Sequence, residues 1–360
     1  MDRVSRRPAK PMSTRSRFVA VPARAVALVA LASAALACGK SDKTAAGSAA
    51  SATGKTFTIA MIAKSSTNPV FLSGRQGAEA AADSITKATG VTVKIDWLTP
   101  PAEDGTIQAQ RIAQAVDGGA NAILLSASDA GKVIGAVNEA ADRGVPVMTF
   151  DSDVAGSKRF AFYGGNDTLM GAQVMDELAK QMNNKGKVAI VAGNQNAPNL
   201  QLRVQGAKNA AKKYPGITIV TTAYHAETPQ DAAAEVMRVM NAYPGLDGLA
   251  MIGGWALFTP SLLTDLKSSK VKIVSVDAIP VELPYVEKGL APVLFAQPTY
   301  LWGYVSVGTI FDHVYNKKDV PAHVQMDLVK VSMDNLGTWA RQLKAWGFTD
   351  VDPKYLALAK

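Results

Sequence analysis

From residue 57 onward the chain alternates short apolar runs with amphipathic stretches, and this rhythm limits the fold more than any other feature. Ten runs have strand length: FTIAMIA (57–63), VTVKIDWL (91–98), AILLSA (122–127), VPVMTFD (145–151), AFYGG (161–165), KVAIVAG (187–193), ITIVTTAY (217–224), GLAMIGG (248–254), KIVSVDA (272–278) and PVLFAQ (292–297). Several are apolar almost throughout, as strands covered on both faces must be. Helical stripes separate most of them. Val133, Ile134, Val137, Ala140 and Ala141 share one face, with Asp129 as N-cap and Gly144 as stop. Gly171, Val174, Met175, Leu178 and Met182 form a second stripe. Val70, Gly74, Ala78, Ala81 and Ile85 form a third, whose small residues allow close approach to a sheet. This order predicts an α/β fold of parallel sheets with helices on both faces. Ten strands over roughly 300 residues exceed one comfortable sheet, so two doubly wound lobes are expected.

The segment before residue 57 does not share the rhythm. The formal net charge is +8, which invites a nucleic-acid partner, but seven of the basic residues lie within the first 37 positions: Arg3, Arg6, Arg7, Lys10, Arg15, Arg17 and Arg24. Only Asp2 opposes them. From Cys38 onward 31 basic residues face 29 acidic ones, and the case for a polyanion partner falls away. An uncharged stretch of small and apolar residues, 25–37, follows Arg24. It is too short to span a bilayer and has the character of a secretory h-region. It ends in Ala35-Leu36-Ala37-Cys38-Gly39, which resembles a bacterial lipoprotein signal. In such signals the Cys becomes the lipidated first residue of the mature chain, and Cys38 is the only cysteine present. Ala35 stands where Leu is usual; the plainer alternative is an ordinary signal peptide that carries a Cys. Ser5-Arg6-Arg7 hints at twin-Arg export, weakened by Pro8 and by the distance to the h-region. Residues 38–54 are rich in Gly, Ala, Ser and Thr and read as a flexible tether holding the body near a membrane surface. A single Cys excludes an intrachain disulfide and any multi-Cys metal centre.

Ligands of open parallel sheets bind beyond the carboxyl ends of the strands. The residues there are Lys64 to Asn68, Ser126 to Asp129, Asp151 to Asp153, Asn194 to Asn196, Gly253 to Trp255, Asp277 and Gln297, with Phe71 and Phe258 nearby. Amides, hydroxyls and carboxylates beside aromatic faces are what a polyol needs, although polar residues fill strand ends in many α/β proteins.

One ordered set of motifs narrows this reading. Asn68-Pro69-Val70-Phe71 precedes Gly77-Ala78-Glu79-Ala80-Ala81. The run 145–153 (VPVMTFDSD), Arg203-Val204-Gln205-Gly206, the run 272–277 (KIVSVD) and Phe295-Ala296-Gln297-Pro298 follow in order. Together they resemble the periplasmic ribose-type sugar-binding proteins of ABC importers, from about residue 57 to about residue 335. The resemblance implies a type I periplasmic binding protein, two doubly wound lobes joined by a three-stranded hinge near Gly165, Gln297 and Asp327. The lobes would be 55–165 with 298–327, and 166–297 with 328–350, leaving 351–360 as a tail. It implies a monomer that traps a small sugar or polyol and delivers it to ABC permease subunits, without cofactor or metal; presentation to a chemoreceptor or sensor kinase is the alternative. The implied ligand residues are Asn68 and Phe71 in the first loop, and Ser126. Asp151 and Asp277 would each accept sugar hydroxyls, one per lobe. Arg203 and Gln297 complete the match. Trp255, after Gly253-Gly254, could stack on a sugar ring. Two departures are visible. Val70 stands where relatives often carry a second aromatic, and Ser152 replaces the Arg of ribose binders, which argues against ribose itself.

Other classes fit less well. Asp151 and Asp277 could be a glycosidase pair, yet both match ligand-gripping positions and no further proton donor is evident. Asp151-Ser152-Asp153 has too few spaced oxygens for a calcium loop. The histidines 225, 313 and 323 lack metal spacing, and there is no Gly-x-Ser-x-Gly elbow or Walker loop. A repressor on this fold needs an N-terminal DNA-reading module, where this chain has a leader.

Overall fold

The computed structural model describes residues 56–359. The leader, Cys38 and the tether lie outside the described residues. The chain begins with β1 (Thr56–Ile62), α1 (Pro69–Thr89), β2 (Thr92–Trp97), α2 (Gly105–Asp117), β3 (Ala122–Leu125), α3 (Ala130–Asp142), β4 (Val147–Phe150) and β5 (Ala161–Gly164). It continues as α4 (Asp167–Gln181), β6 (Lys185–Ala192), α5 (Pro198–Ala211), β7 (Gly216–Tyr224), α6 (Pro229–Ala242), β8 (Gly248–Met251), α7 (Pro260–Asp265), β9 (Lys272–Val276), α8 (Leu283–Glu287) and β10 (Val293–Ala296). Then come α9 (Thr299–Ile310), β11 (His323–Gln325), β12 (Val329–Val331), α10 (Leu336–Ala345) and α11 (Pro353–Leu356).

Each of the ten apolar runs forms a strand. They assemble into two sheets, β11-β5-β4-β3-β1-β2 and β12-β10-β9-β8-β6-β7. The two orders are the same doubly wound pattern written twice. Every pairing is parallel except β10 with β12. Every residue of β3, β4, β5, β8 and β10 is buried, which accounts for their unbroken apolar character. Alternation along β1 serves both faces: Ile59 and Met61 pack with residues of α1 and α9, while Ala60 and Ile62 pack with residues of α2 and α3.

The chain passes from the first sheet to the second after β5, returns after β10, and crosses again between β11 and β12. These passages are neighbours, because β11 pairs with β5 and β12 pairs with β10.

The small residues of α1 do more than the expected approach to the sheet, against which Gly74 meets Met61 of β1. They also admit another helix. A Cβ on Gly77 would fall 1.9 Å from the Tyr300 carbonyl oxygen of α9, and one on Gly303 would fall 1.9 Å from the Gly74 carbonyl oxygen. Helix α9 reaches this face only after the chain has returned from the second sheet, so no local pattern announces it. The same device recurs in the second half, where a Cβ on Gly171 of α4 would lie 1.8 Å from the Arg203 carbonyl oxygen of α5. That contact brings Asp167, in the first turn of α4, against the Arg203 side chain. Residues 351–360, expected as a tail, include α11. Tyr355 of that helix is 2% exposed and joins Val351, which precedes the helix, in the second half's core.

Among the described residues no helix is long and apolar enough to cross a membrane.

Candidate functional site

The carboxyl ends of the strands of both sheets meet at one narrow chamber with about 20 Å³ of free space. That is far below the roughly 300 Å³ of small-molecule pockets, so a sugar fits only when the two halves move apart. Its wall includes Asn68, Phe71, Asp151, Arg203, Trp255, Asp277 and Gln297. Of the eight ligand residues expected from sequence, seven therefore line it. Ser126 does not: it is buried behind Asp151 and donates its hydroxyl to Asp151 Oδ2 at 2.8 Å.

The two carboxylates occupy equivalent places. Asp151 follows β4 and Asp277 follows β9, and both backbones lie in the left-handed region, with φ of 56° and 75°. Each N–H donates to a neighbouring strand, Asp151 to the Tyr163 carbonyl and Asp277 to the Phe295 carbonyl. Left-handed backbone costs about 1–2 kcal/mol per residue, least for Asn and Asp, and such strain gathers at functional sites. Asp151 Oδ1 also accepts from Asn199 Nδ2 at 3.1 Å, and Lys64 Nζ lies 3.9 Å from its other oxygen. Asp277 accepts from Gln297 Nε2 at 2.8 Å and from the Gly254 N–H at 3.1 Å. Burial raises Asp277 above the usual carboxylate range, against the opposing pull of Arg203 and these hydrogen bonds.

Arg203 sits between the carboxylates, 2% exposed. Its Nε donates to Asp167 at 2.8 Å, its guanidinium to Gln297 Oε1 at 3.0 Å and to the Ile252 carbonyl at 3.3 Å, and it lies 3.8 Å from Asp151. Burial alone would lower it, but Asp167, Asp151 and Asp277 outweigh that and raise it. Asp167 itself is pushed up to about 6, because burial outweighs its pairing with Arg203.

Asn68 does two jobs. Its side-chain oxygen caps α1 by accepting from the Val70 N–H at 3.1 Å, which leaves its amide N–H₂ facing the chamber it lines. Phe71 likewise both packs and lines, with its ring centroid 5.7 Å from that of Trp302 and 6.4 Å from that of Phe150. Trp255, in a short turn Trp255–Leu257, is 7% exposed and meets His225 edge-on at 5.6 Å. The indole N–H groups of Trp255 and Trp302 are buried without a partner.

Asn199, Trp302 and the role of Lys64 escape the sequence reading, and Glu227 is only weakly indicated by its place after a strand. Asn199 stands in the first turn of α5 just after Pro198, and Trp302 lies one turn past Gln297. Either could be found by extending the search from strand ends to the opening turns of the helices that follow. Lys64 is 2% exposed and donates to Asn199 Oδ1 at 3.1 Å. Burial would lower it; Glu227, Asp151 and Glu103 together raise it. The chamber thus offers donors (Lys64, Asn68, the two indoles), acceptors (Asp151, Asp277, Glu227) and aromatic faces (Phe71, Trp255, Trp302). It is equipped to hold a compact hydroxylated molecule by paired hydrogen bonds and ring contact. Among the described residues no group of His, Cys, Asp and Glu is arranged to hold a metal ion.

Comparison with known proteins points the same way. A family model described as a periplasmic binding protein domain matches residues 59–318. The D-apiose import binding protein of Actinobacillus succinogenes is 25% identical over 192 residues, covering 53% of this chain and 60% of that protein's length. The D-ribose/D-allose-binding protein of Pseudomonas aeruginosa is 27% identical over 240 residues, covering 64% of this chain and 74% of that one. Among solved structures, an ABC transporter solute-binding protein of Burkholderia graminis in complex with D-arabinose superposes with a TM-score of 0.72. It is 26% identical, and the match covers 78% of this chain and 97% of that one.

Proposed function

Because this chain belongs to the periplasmic binding protein domain family, we propose that it captures a small sugar or polyol between its two halves and delivers it to the permease of an ABC importer. Family membership implies an exported protein of the periplasm. The observation that carries the proposal is the pair Asp151 and Asp277. They come from opposite sheets, share an unusual backbone conformation, and line one chamber with unpartnered indole donors. Nothing in that arrangement asks for bond breaking: the carboxylates are engaged by amides, a hydroxyl and a backbone N–H, as gripping groups are. The relatives that bind apiose, ribose, allose or arabinose support a monosaccharide as the ligand class. In this reading the lobes are residues 55–165 with 298–327 and residues 166–297 with 328–350. They close over the ligand about the three neighbouring passages of the chain.

Thermal melting and solution scattering test this together, over a panel of pentoses, hexoses, deoxysugars and inositols. A true ligand at 100 times its dissociation constant adds about 2.7 kcal/mol of stability. It should also reduce the radius of gyration as the lobes close. A panel without a single stabilising compound, or a bound sugar that leaves the radius unchanged, would overturn the reading.

The proposal includes anchoring through a lipid on Cys38, a residue outside the described part of the chain. Cys38→Ser is expected to shift the protein from the membrane fraction to the soluble periplasmic fraction, or to leave it unprocessed. A correctly cleaved, membrane-bound Ser variant would refute lipidation at this position.

A further inference from the structure

The cleft does not end at the inner chamber. It widens into an outer compartment of about 510 Å³, whose lining includes Ser65, Thr67, Glu103, Asn194, His225 and Glu227. Glu227 belongs to both walls. Glu103 comes from the loop between β2 and α2 of the first half, and Glu227 from the segment between β7 and α6 of the second. Both carboxyl oxygens of Glu103 and Oε2 of Glu227 are closed off from solvent and meet no donor from any other residue; these oxygens have only each other. Only Glu227 Oε1 is engaged, by the Asn194 N–H at 3.0 Å. An independent buried group is also unsatisfied on the inner wall that Glu227 shares. It is the indole N–H of Trp255, a residue only 7% exposed. Buried polar groups are rarely left unpaired in a working protein, so unpaired ones at a cleft mark where a ligand belongs.

The balance of charge says what kind of ligand. Of the two cations of the inner wall, Arg203 is committed to Asp167 and Gln297, and Lys64 donates to Asn199 while Glu227, Asp151 and Glu103 share its charge. Against them stand five carboxyls, Asp151, Asp167, Asp277, Glu103 and Glu227, of which burial raises Asp167, Asp277 and Glu103. Glu103 and Glu227 meet at the boundary of the two compartments. Glu103 is faced there by Glu227, Lys64 and Asp151; burial, then the charge of Glu227 and a hydrogen bond between the two carboxyls, raise it well above the usual range, so the pair holds a proton between them. A neutral sugar brings hydroxyl donors but no charge. An ammonium group brings three donors and one positive charge, and can take the place of the proton that the two carboxyls share.

We propose that the ligand is an amine-bearing polyol, such as an amino sugar, whose ammonium sits between Glu103 and Glu227 while its hydroxyls meet Asp151 and Asp277. The proposal rests on the sugar-binding reading and narrows it. Glu103 and Glu227 are then specificity-determining residues, and because they belong to opposite halves, the ammonium also ties the halves together.

Calorimetric titration of the full chain with matched sugars tests it: D-glucosamine, D-glucose and N-acetyl-D-glucosamine, and the same three forms of galactose. In at least one set the amine is expected to bind about 10- to 100-fold more tightly than the neutral sugar, the range of a charge-assisted hydrogen bond. The N-acetyl form, which keeps the nitrogen but removes its charge, should lose that advantage. Glu103→Gln should shrink the ratio of amine to neutral affinity toward one. If neutral sugars bind as well as their amines, or if Glu103→Gln leaves the ratio intact, the amine assignment fails and the sugar-binding reading stands. If no sugar of any form binds, both fail.

Discussion

Arg203→Ala is expected to lose about 3–5 kcal/mol of stability, the cost of leaving buried carboxylates without their cation. Arg203 is the cation that ties three side chains of the site together: Asp167 at 2.8 Å, Gln297 at 3.0 Å and Asp151 at 3.8 Å. The loss should depend on pH in a defined direction. Asp167 is held near 6 in the folded protein, above its ordinary value. A carboxyl raised by folding contributes stability that is fully present below about pH 4 and disappears as pH rises through the folded value. Removing Arg203 raises Asp167 further, because the opposing cation is gone. The deficit of the variant should therefore be larger at pH 8 than at pH 5. Urea unfolding at both values measures it. A deficit below about 1 kcal/mol, or one that does not change with pH, would mean that Arg203 is not the counter-charge of this cluster. Arg203→Lys should fall between the two, since it keeps the charge and loses the planar fork.

Asp151 and Asp277 predict a different signature, in affinity more than in stability. Asn is the informative replacement, because it tolerates the left-handed backbone seen at both positions. Asp151→Asn and Asp277→Asn each remove a charge-assisted acceptor. Each should cost about 2–4 kcal/mol of binding, or roughly 30- to 1,000-fold in affinity, with melting close to that of the parent. Asp→Ala at the same positions should lose the same affinity and, in addition, about 1–2 kcal/mol of stability from a backbone conformation that Ala resists. Titration calorimetry and melting curves on the four variants separate the terms. An Asn variant with parental affinity would remove that carboxylate from the ligand's grip.

The parts of the molecule legible in the sequence are those whose physics is local. β3, β4 and β8 announce themselves because both faces are covered and the run is apolar throughout. Strand ends follow from the runs, and with them Asp151, Asp277 and Trp255. β11 and β12 are not legible: three residues each, at sheet edges, with His323 and Gln325 exposed, carry no periodicity to detect. Asn199 and Trp302 are not legible for another reason. They lie in helices, and they reach the chamber because Gly171 lets α4 meet α5 and Gly77 lets α9 meet α1. Glu103 is harder still. Its loop reads as a Pro- and Ala-containing turn, and its carboxyl finds Lys64 and Asp151 only through the sheet's fold and Glu227 only through the opposite half.

The three passages of the chain between the sheets run side by side. Parallel straps behave like a flat joint in a mechanical linkage: they bend readily in one direction and resist both twisting and sliding. In the proposed closure, the relative motion of the halves would thereby be confined to something close to a single coordinate. The stiffness of that joint, and the resting position it favours, set what fraction of molecules is ready to receive a ligand, and this fraction multiplies the intrinsic affinity for every compound alike. Changes near Gly165, Pro298 or Asp327 would then scale all affinities by a common factor, leaving the ranking of ligands to the cleft. Strength and selectivity of capture reside in separate parts of the chain, and each can drift without disturbing the other.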